Sequence, residues 1–498
     1  MNVNPITRLD YPDPDVIRVE DTYYMVSTTM HFMPGCEILQ SFDLVHWEHV
    51  TYVYETLDHT DAQQLKSGQN IYGQGMWAAS LRYHEGRFCI CFVANDTRKT
   101  YLYTSEKIDG PWKKQLIEGF YHDGSLLFDE DGRNYIVYGN DEIWITELNE
   151  DLTAPKKDGL HRLLVSDHKN PELGYEGSHI QKINGYYYIF LVHSLRDRWM
   201  RTEACFYSDS LEGEFTGGDV LCDDRGYCGQ GVAQGGIVDT PDGKWYAMLF
   251  QDSGAVGRIP ILLPVTWKDH FPFFGQNGHV PEEIEVHSTR PGYIYQPLVG
   301  SDDFCNGLLP RWQFNHDPDP RYYHLDALQG TYTITTREVC TELTQAVNTL
   351  TQRMSYPSCA AEVTVDASAL KEGDVAGLCA LQGCYAAVGI TKHHGKYEVL
   401  MLDKKEDGIL DMTEGTVVES HQMDFRLEAD FCNMKDEARC YYRVNKGDWL
   451  PIGTVHKLYF KLDHFTGCRF GLFCYAAEKT GGSACFRDFK YYDVDEIS

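Results

Sequence analysis

Three carboxylates, a tryptophan and a glutamine stand at the heads of five similar sequence units, and their residue types suit sugar chemistry. They are Asp13, Trp77, Asp123, Glu176 and Gln234. Cleaving a glycosidic bond takes one protonated carboxyl group, which helps the leaving oxygen depart, and one ionised carboxylate, which activates water or attacks the sugar. A third carboxylate can orient the acid and raise its pKa by like-charge repulsion. The same acidic set could instead hold a cation in a binding protein, and spacing alone leaves both interpretations open.

The unit is clearest in residues 175–190. Glu176 leads into a short run with spaced apolar residues, the Asn184-Gly185 pair follows, and a strand rich in aromatic residues comes next. Asn-Gly between two such runs is a strong hairpin signal, so the pattern predicts a hairpin whose first strand begins at the carboxylate. The other four heads lead into similar pairs of runs, three of them joined by Glu85-Gly86, Asp131-Gly132 and Asp242-Gly243.

The five units recur roughly every 46 to 64 residues, close to the spacing typical of propellers. Because equivalent positions of propeller blades surround one axis, we expect the five heads to converge on one end of a central channel. Trp77 would there offer an apolar face on which a sugar ring stacks.

The chain is long enough for two domains, at 498 residues. Residues 1–295 carry the five units, and residues 276–300 are predicted as a linker that holds Pro281, Pro291 and Pro297. After residue 301 many short strand-like runs alternate with turn signals, a pattern typical of a β-sandwich. The predicted fold class is therefore all-β, with a five-bladed propeller in residues 1–295 and a β-sandwich in residues 301–498.

Charge and targeting signals limit the partners. The formal net charge of −30 opposes binding to nucleic acid and to anionic membranes, and no apolar run approaches the roughly 20 residues that cross a bilayer. The first residues predict no secretory leader, and the 16 cysteines are scattered, so the expectation is a cytoplasmic protein with reduced thiols. A homo-oligomer is compatible with this sequence.

Several motifs, taken in order, resemble glycoside hydrolase family 43. They are Tyr11-Pro12-Asp13-Pro14-Asp15-Val16, Gly75-Met76-Trp77-Ala78, His122-Asp123-Gly124-Ser125-Leu126, Tyr175-Glu176-Gly177-Ser178-His179 and Ala255-Val256-Gly257-Arg258. The C-terminal part, including residues 346–353 and 374–378, is similar to the concanavalin-like sandwich appended to many members. The resemblance covers nearly the whole chain.

The resemblance implies an inverting mechanism. Asp13 would be the general base, Glu176 the general acid, and Asp123 the residue that tunes and orients Glu176. Arg258 would contact sugar hydroxyls or hold a carboxylate, and Trp77 and Phe32 would line the subsite of the terminal sugar. Many relatives have a histidine where this chain has Gln234, which is expected near the site.

No cofactor and no catalytic metal are expected. In relatives, the histidine that Gln234 replaces often contacts a cation in the channel. An amide oxygen can still ligate calcium, so a structural Ca²⁺ in the propeller channel stays a hypothesis at this stage.

The predicted activity is that of an exo-acting, inverting glycosidase that releases α-L-arabinofuranose or β-D-xylose from plant cell-wall oligosaccharides, with arabinofuranosidase ranked ahead of xylosidase. Two alternatives remain: an endo-arabinanase, which needs an open groove, and a non-catalytic glycan-binding protein. The sandwich is expected to pack beside the propeller and to cap the pocket.

Overall fold

The computed structural model describes residues 2–413 and 415–493, and its first half is a five-bladed β-propeller. Each blade is a four-stranded antiparallel sheet whose strands follow one another in chain order. Blade 1 holds Asp15–Val19, Thr22–Val26, Gly35–Ser41 and Glu48–Tyr54, and blade 2 holds Met76–His84, Arg87–Ala94, Lys99–Ser105 and Lys113–Ile117. Blade 3 holds Ser125–Phe128, Asn134–Asn140, Glu142–Leu148 and His161–Ser166. Blade 4 holds Glu176–Ile183, Tyr186–Ser194, Arg201–Ser208 and Thr216–Leu221, and blade 5 holds Ala233–Asp239, Trp245–Asp252, Arg258–Lys268 and Phe271–Phe274. The predicted propeller is confirmed.

The hairpin turns explain why each unit folds on itself. Asn184 and Gly185 have φ of 50° and 84°, the left-handed values that a two-residue turn between antiparallel strands requires. The strands on either side pair from Ile183 with Tyr186 back to Glu176 with Val192. Apolar side chains from neighbouring blades then pack face to face; between blades 4 and 5, for example, Phe190 shares a buried cluster with Ile237 and Leu249.

The second half is a β-sandwich of two antiparallel sheets. One sheet contains, in spatial order, Tyr323–Asp326, Thr331–Thr335, Ser483–Asp493, Ser358–Asp366, Gln422–Asp430, Glu437–Arg443 and Leu450–Lys457. The other contains Gln313–Phe314, Leu350–Arg353, Arg469–Tyr475, Val375–Leu381, Tyr385–His393, Lys396–Lys404 and Leu410–Met412, with Thr416–Val418 also paired to Lys396–Lys404. Alternating side chains of both sheets fill one core.

Short elements complete the chain. The strand Asn2–Val3 pairs with Glu283–Ile284, and single 3₁₀ turns cover Lys66–Gly68, Leu343–Gln345 and Cys432–Met434. The described residues contain no strand or helix between Ile284 and Gln313. Across residues 2–413 and 415–493, no helical segment is long and apolar enough to cross a bilayer.

The two halves share buried surface and buried polar contacts. Ala255 and Val256 of the propeller belong to the sandwich core cluster. The Asp10 carboxylate, 2% exposed, accepts backbone N–H bonds from Arg258 and from Gly467 of the sandwich, each at 2.7 Å. Burial raises the pKa of Asp10 to about 6, against the opposing effect of these two bonds. This contact therefore joins the strand that carries Arg258 directly to the sandwich.

Candidate active site

The head of each inner strand has an irregular backbone, which turns the head side chain toward the channel mouth. Asp13, Asp123 and Gln234 adopt φ of 52°, 48° and 63°, a region that residues other than glycine enter only where the surroundings enforce it. In blades 2, 4 and 5 the pairing register shifts at the same point, next to Trp77, Glu176 and Gln234. Such bulges bend a strand and re-aim its side chains, and they are common beside active sites.

The heads converge on one cavity of about 200 Å³, a volume on the scale of one sugar ring. Six of the residues predicted from the sequence line it: Asp13, Trp77, Asp123, Glu176, Gln234 and Arg258. The lining also includes residues to which the sequence assigned no role in the site: Ala78, His122, Leu173, Trp199, Arg201, Leu462 and Phe465. A larger cavity of about 470 Å³, at the opposite end of the channel, contains none of the five heads.

Phe32 requires a correction. It was expected to line the sugar subsite, but it is not among the cavity residues and is only 1% exposed. Its ring lies 3.5 Å under the guanidinium of Arg469, which the sandwich supplies. Phe32 is therefore buried against a cation from the other domain and does not line the cavity.

Asp13 is held at one end of a buried chain of alternating charges. Its Oδ1 accepts a bond from Arg258 Nη1 at 2.6 Å, and its Oδ2 accepts one from the Thr28 hydroxyl at 2.5 Å. Arg258 Nε lies 3.3 Å from Asp252, which in turn pairs with Arg201. Burial lowers the pKa of Arg201 to about 9, and the neighbouring charge of Arg258 adds to this effect. One charge-assisted bond from Arg258 and one hydrogen bond from the Thr28 hydroxyl therefore fix the Asp13 carboxylate in place.

Asp123 and Glu176 are placed next to each other by blades 3 and 4. The backbone N–H of Gly177 donates to Asp123 Oδ2 at 3.0 Å, and Asn140 Nδ2 donates to Glu176 Oε2 at 2.7 Å. Gly177 has φ of 65°, and a Cβ there would lie 2.7 Å from Gln234 Cγ. The glycine thus lets Gln234 pack directly beneath the strand that begins with Glu176.

His122 lies between these two carboxylates and changes their proton balance. Its Nε2 is 3.6 Å from Asp123 Oδ2 and 3.6 Å from Glu176 Oε2. Burial acts to lower the pKa of His122, but the two carboxylates outweigh it and raise that pKa to about 9. Burial raises the pKa of Asp123 to about 6, although His122 opposes the rise. Burial acts to raise the pKa of Glu176 as well, but the His122 imidazolium and the nearby arginines outweigh burial and lower that pKa. The repulsion by which Asp123 was expected to raise the acid's pKa is thus offset by His122.

Two groups of residues bear on whether the propeller binds a metal. His122, Asp123 and Glu176 form the one group in residues 2–413 and 415–493 whose potential ligand atoms all lie within 4.8 Å of one another. The His122 imidazole would have to lose its proton to ligate a metal ion. In the channel itself the Arg82 guanidinium donates to Asp15 Oδ2 at 2.8 Å, Leu126 O at 2.8 Å and Ser125 Oγ at 2.7 Å. Arg82 thus brings a positive charge to these channel oxygens, and a structural Ca²⁺ near Gln234 stays a hypothesis.

The sandwich contributes one wall of the pocket. Phe465 and Leu462 come from the loop between Leu450–Lys457 and Arg469–Tyr475 and line the cavity. The Phe465 ring meets Trp77 edge to face at 5.4 Å between centroids, and the Arg258 guanidinium lies 4.0 Å from the Phe465 ring centre. The second domain therefore contacts two residues that the propeller presents to the cavity.

Sequence comparisons agree with this architecture. Residues 3–272 match the family described as glycosyl hydrolases family 43, and residues 301–492 match the β-xylosidase C-terminal concanavalin A-like domain. The chain belongs to glycosyl hydrolases family 43, whose members are inverting glycosidases.

Individual relatives are similar over most of the chain. A β-xylosidase of Formosa agariphila is 26% identical over 99% of this chain and 89% of its own length. A non-reducing end α-L-arabinofuranosidase of Bacteroides ovatus is 25% identical over 66% of this chain and 63% of its own. The structure of a bifunctional GH43-CE protein from Bacteroides eggerthii is 41% identical with a TM-score of 0.91. It covers all of this chain, which in turn spans 64% of that protein.

Proposed function

We propose that this glycoside hydrolase removes single terminal α-L-arabinofuranose or β-D-xylose residues from plant cell-wall oligosaccharides, with inversion at the anomeric carbon. The observation that carries the proposal is the convergence of Asp13, Asp123 and Glu176 on one cavity of about 200 Å³. The names of the Formosa and Bacteroides relatives support both pentoses as substrates.

In this mechanism Asp13 accepts a proton from the attacking water. Its two hydrogen bonds, to Arg258 and to Thr28, keep the carboxylate oriented. Inversion needs room for that water between the sugar and the base, and in inverting enzymes the two carboxyl groups stand roughly 6.5–9.5 Å apart.

Glu176 donates a proton to the leaving oxygen as the glycosidic bond breaks. Asn140 fixes its Oε2, and Asp123 holds the following residue through the Gly177 N–H. Asp123 thus orients the acid through the backbone, which fits the tuning and orienting role inferred from the resemblance.

The pocket walls favour exo action. Leu462 and Phe465 from the sandwich and Trp77 and Trp199 from the propeller surround the cavity. An endo-arabinanase would need a groove open at both ends. The sandwich loop that carries Leu462 and Phe465 lines the cavity and argues against such a groove. The preference between arabinofuranose and xylose stays part of the proposal, with arabinofuranose ranked first.

Comparing the parent with Glu176→Gln tests this function against a merely glycan-binding role. The assay follows pentose release from xylobiose and from arabino-oligosaccharides, whose sugar leaving groups need protonation, alongside p-nitrophenyl pentosides. We expect the variant to lose at least 100-fold in kcat/KM on the oligosaccharides, in line with the 10²–10⁴-fold typical of general acid catalysis. Glu130→Gln is the matched control, since this side chain is 84% exposed and lies at the opposite cavity. A parent without turnover, or equal rates for parent and Glu176→Gln, would defeat the proposal.

A further inference from the structure

His122 has a buried ring nitrogen with no hydrogen-bond partner, and this nitrogen points between two carboxylates. Nε2 is shielded from solvent and makes no hydrogen bond, yet it stands 3.6 Å from both Asp123 and Glu176. An uncompensated polar atom in such a place is costly. The cost is offset if the nitrogen carries a proton, because both neighbours are anionic acceptors.

The ring is held in this position from two sides. The His122 carbonyl accepts the N–H of Gly139 at 3.0 Å, which fixes the backbone, and the imidazole packs edge to face against Trp77 at 6.0 Å. The charged groups that face it are the carboxylates of Asp123 and Glu176, with Asp13 acting at longer range. Arg201 and Arg258 line the same cavity.

We propose that His122 stores the proton that Glu176 delivers to the leaving oxygen. This inference rests on the proposed function, and His122 acts through Glu176 rather than on the sugar itself. A glutamate beside two arginines and an imidazolium is ionised at rest, so it needs a nearby proton donor before it can act as an acid.

The proton inventory of one turnover balances. The Nε2–H bond of His122 breaks as an Oε2–H bond forms on Glu176, and the two charges are neutralised together. Glu176 then passes this proton to the glycosidic oxygen while Asp13 removes one from the attacking water. Asp13 releases its proton to solvent, and His122 regains one from solvent through Glu176.

A distinctive pH dependence follows, because His122 and Glu176 share one proton and titrate as a pair. The alkaline limb of kcat/KM reports the loss of that proton from the free enzyme. With His122 present the limb follows the imidazole, whose pKa is raised to about 9. Without it, the proton belongs to the two carboxyl groups alone. It then leaves at lower pH, because a carboxyl group is a stronger acid than this imidazole even where burial raises its pKa, as in Asp123.

The test compares the pH profiles of the parent and His122→Asn on xylobiose and arabino-oligosaccharides between pH 5 and 10. We expect the midpoint of the variant's alkaline limb to lie more than one pH unit below that of the parent, while activity near pH 5 stays within roughly tenfold of the parent. His84→Asn is the control, since this side chain is 40% exposed and stacks on Phe128 at the opposite cavity, and its profile should match the parent. An unchanged limb in His122→Asn, or an equal loss at every pH, would overturn the inference.

A measurement without turnover separates this inference from the proposed function. In ¹³C-histidine-labelled protein we expect one imidazole that stays protonated above pH 8, that is missing from His122→Asn and that titrates lower in Glu176→Gln. If the parent released no pentose, the proposed function would fail, while this titration would still decide the state of His122. The absence of any such imidazole in the folded parent would refute the stored proton.

Discussion

Replacing Phe465 with alanine tests whether the sandwich is part of the active site. The ring is 5% exposed and makes two directional contacts in the cavity, with Trp77 at 5.4 Å and with the Arg258 guanidinium at 4.0 Å. An edge-to-face aromatic pair contributes about 0.5–1.5 kcal/mol, and a desolvated cation–π contact about 2 kcal/mol. If about 2–3 kcal/mol of this stabilisation holds Trp77 and Arg258 in place for the transition state, kcat/KM falls roughly 30- to 160-fold.

Initial rates on p-nitrophenyl β-D-xylopyranoside and α-L-arabinofuranoside measure this effect, with circular dichroism melts to confirm that the variants are folded. Phe465→Leu keeps apolar volume but no ring, so it should fall between the parent and Phe465→Ala. Phe273→Ala is the control for losing an aromatic ring, because Phe273 is 49% exposed on the last strand of blade 5. Rates for Phe465→Ala within twofold of the parent, or an equal loss in Phe273→Ala, would refute the reasoning.

Two further changes probe the network around Asp13. Arg258→Lys keeps a positive charge but not the planar fork that reaches both Asp13 and Asp252. Losing about 1.5–3 kcal/mol of charge-assisted bonding predicts a roughly 10- to 160-fold lower kcat/KM in steady-state assays. A rate equal to the parent would contradict this prediction. Asp10→Asn turns one accepting oxygen into an NH₂ group that faces a backbone N–H. We expect the free energy of unfolding to fall by about 1.5–3 kcal/mol, measured as a lower melting temperature. An unchanged melting temperature would show that the contact between the domains is unimportant.

The propeller could be predicted because its signals are local. The inner hairpins of blades 2 and 4 turn at Glu85-Gly86 and Asn184-Gly185, and the φ values of 50° and 84° at Asn184 and Gly185 match that turn chemistry. The heads converge for a topological reason, since equivalent positions of the blades surround one axis. The sequence therefore led to Asp13, Asp123 and Glu176 without any knowledge of their contacts.

The residues that were missed depend on long-range packing. Arg201 opens the third strand of blade 4, where no recurring pattern marks it, and Phe465 comes from a loop of the other domain. His122 stood in a recognised motif beside Asp123, but its role depends on the carboxylate that blade 4 brings to within 3.6 Å. Phe32 was misplaced for the same reason, because Arg469 of the sandwich covers its ring.

The anomeric form of the first sugar released tests the central claim, that Asp13 and Glu176 act on opposite sides of one terminal pentose. Proton NMR of parent enzyme with a β-D-xyloside, recorded before mutarotation mixes the anomers, reads this form directly. The arrangement predicts α-D-xylose as the first product, and the corresponding inversion from an α-L-arabinofuranoside. Initial appearance of β-D-xylose, or no pentose from either substrate, would contradict it.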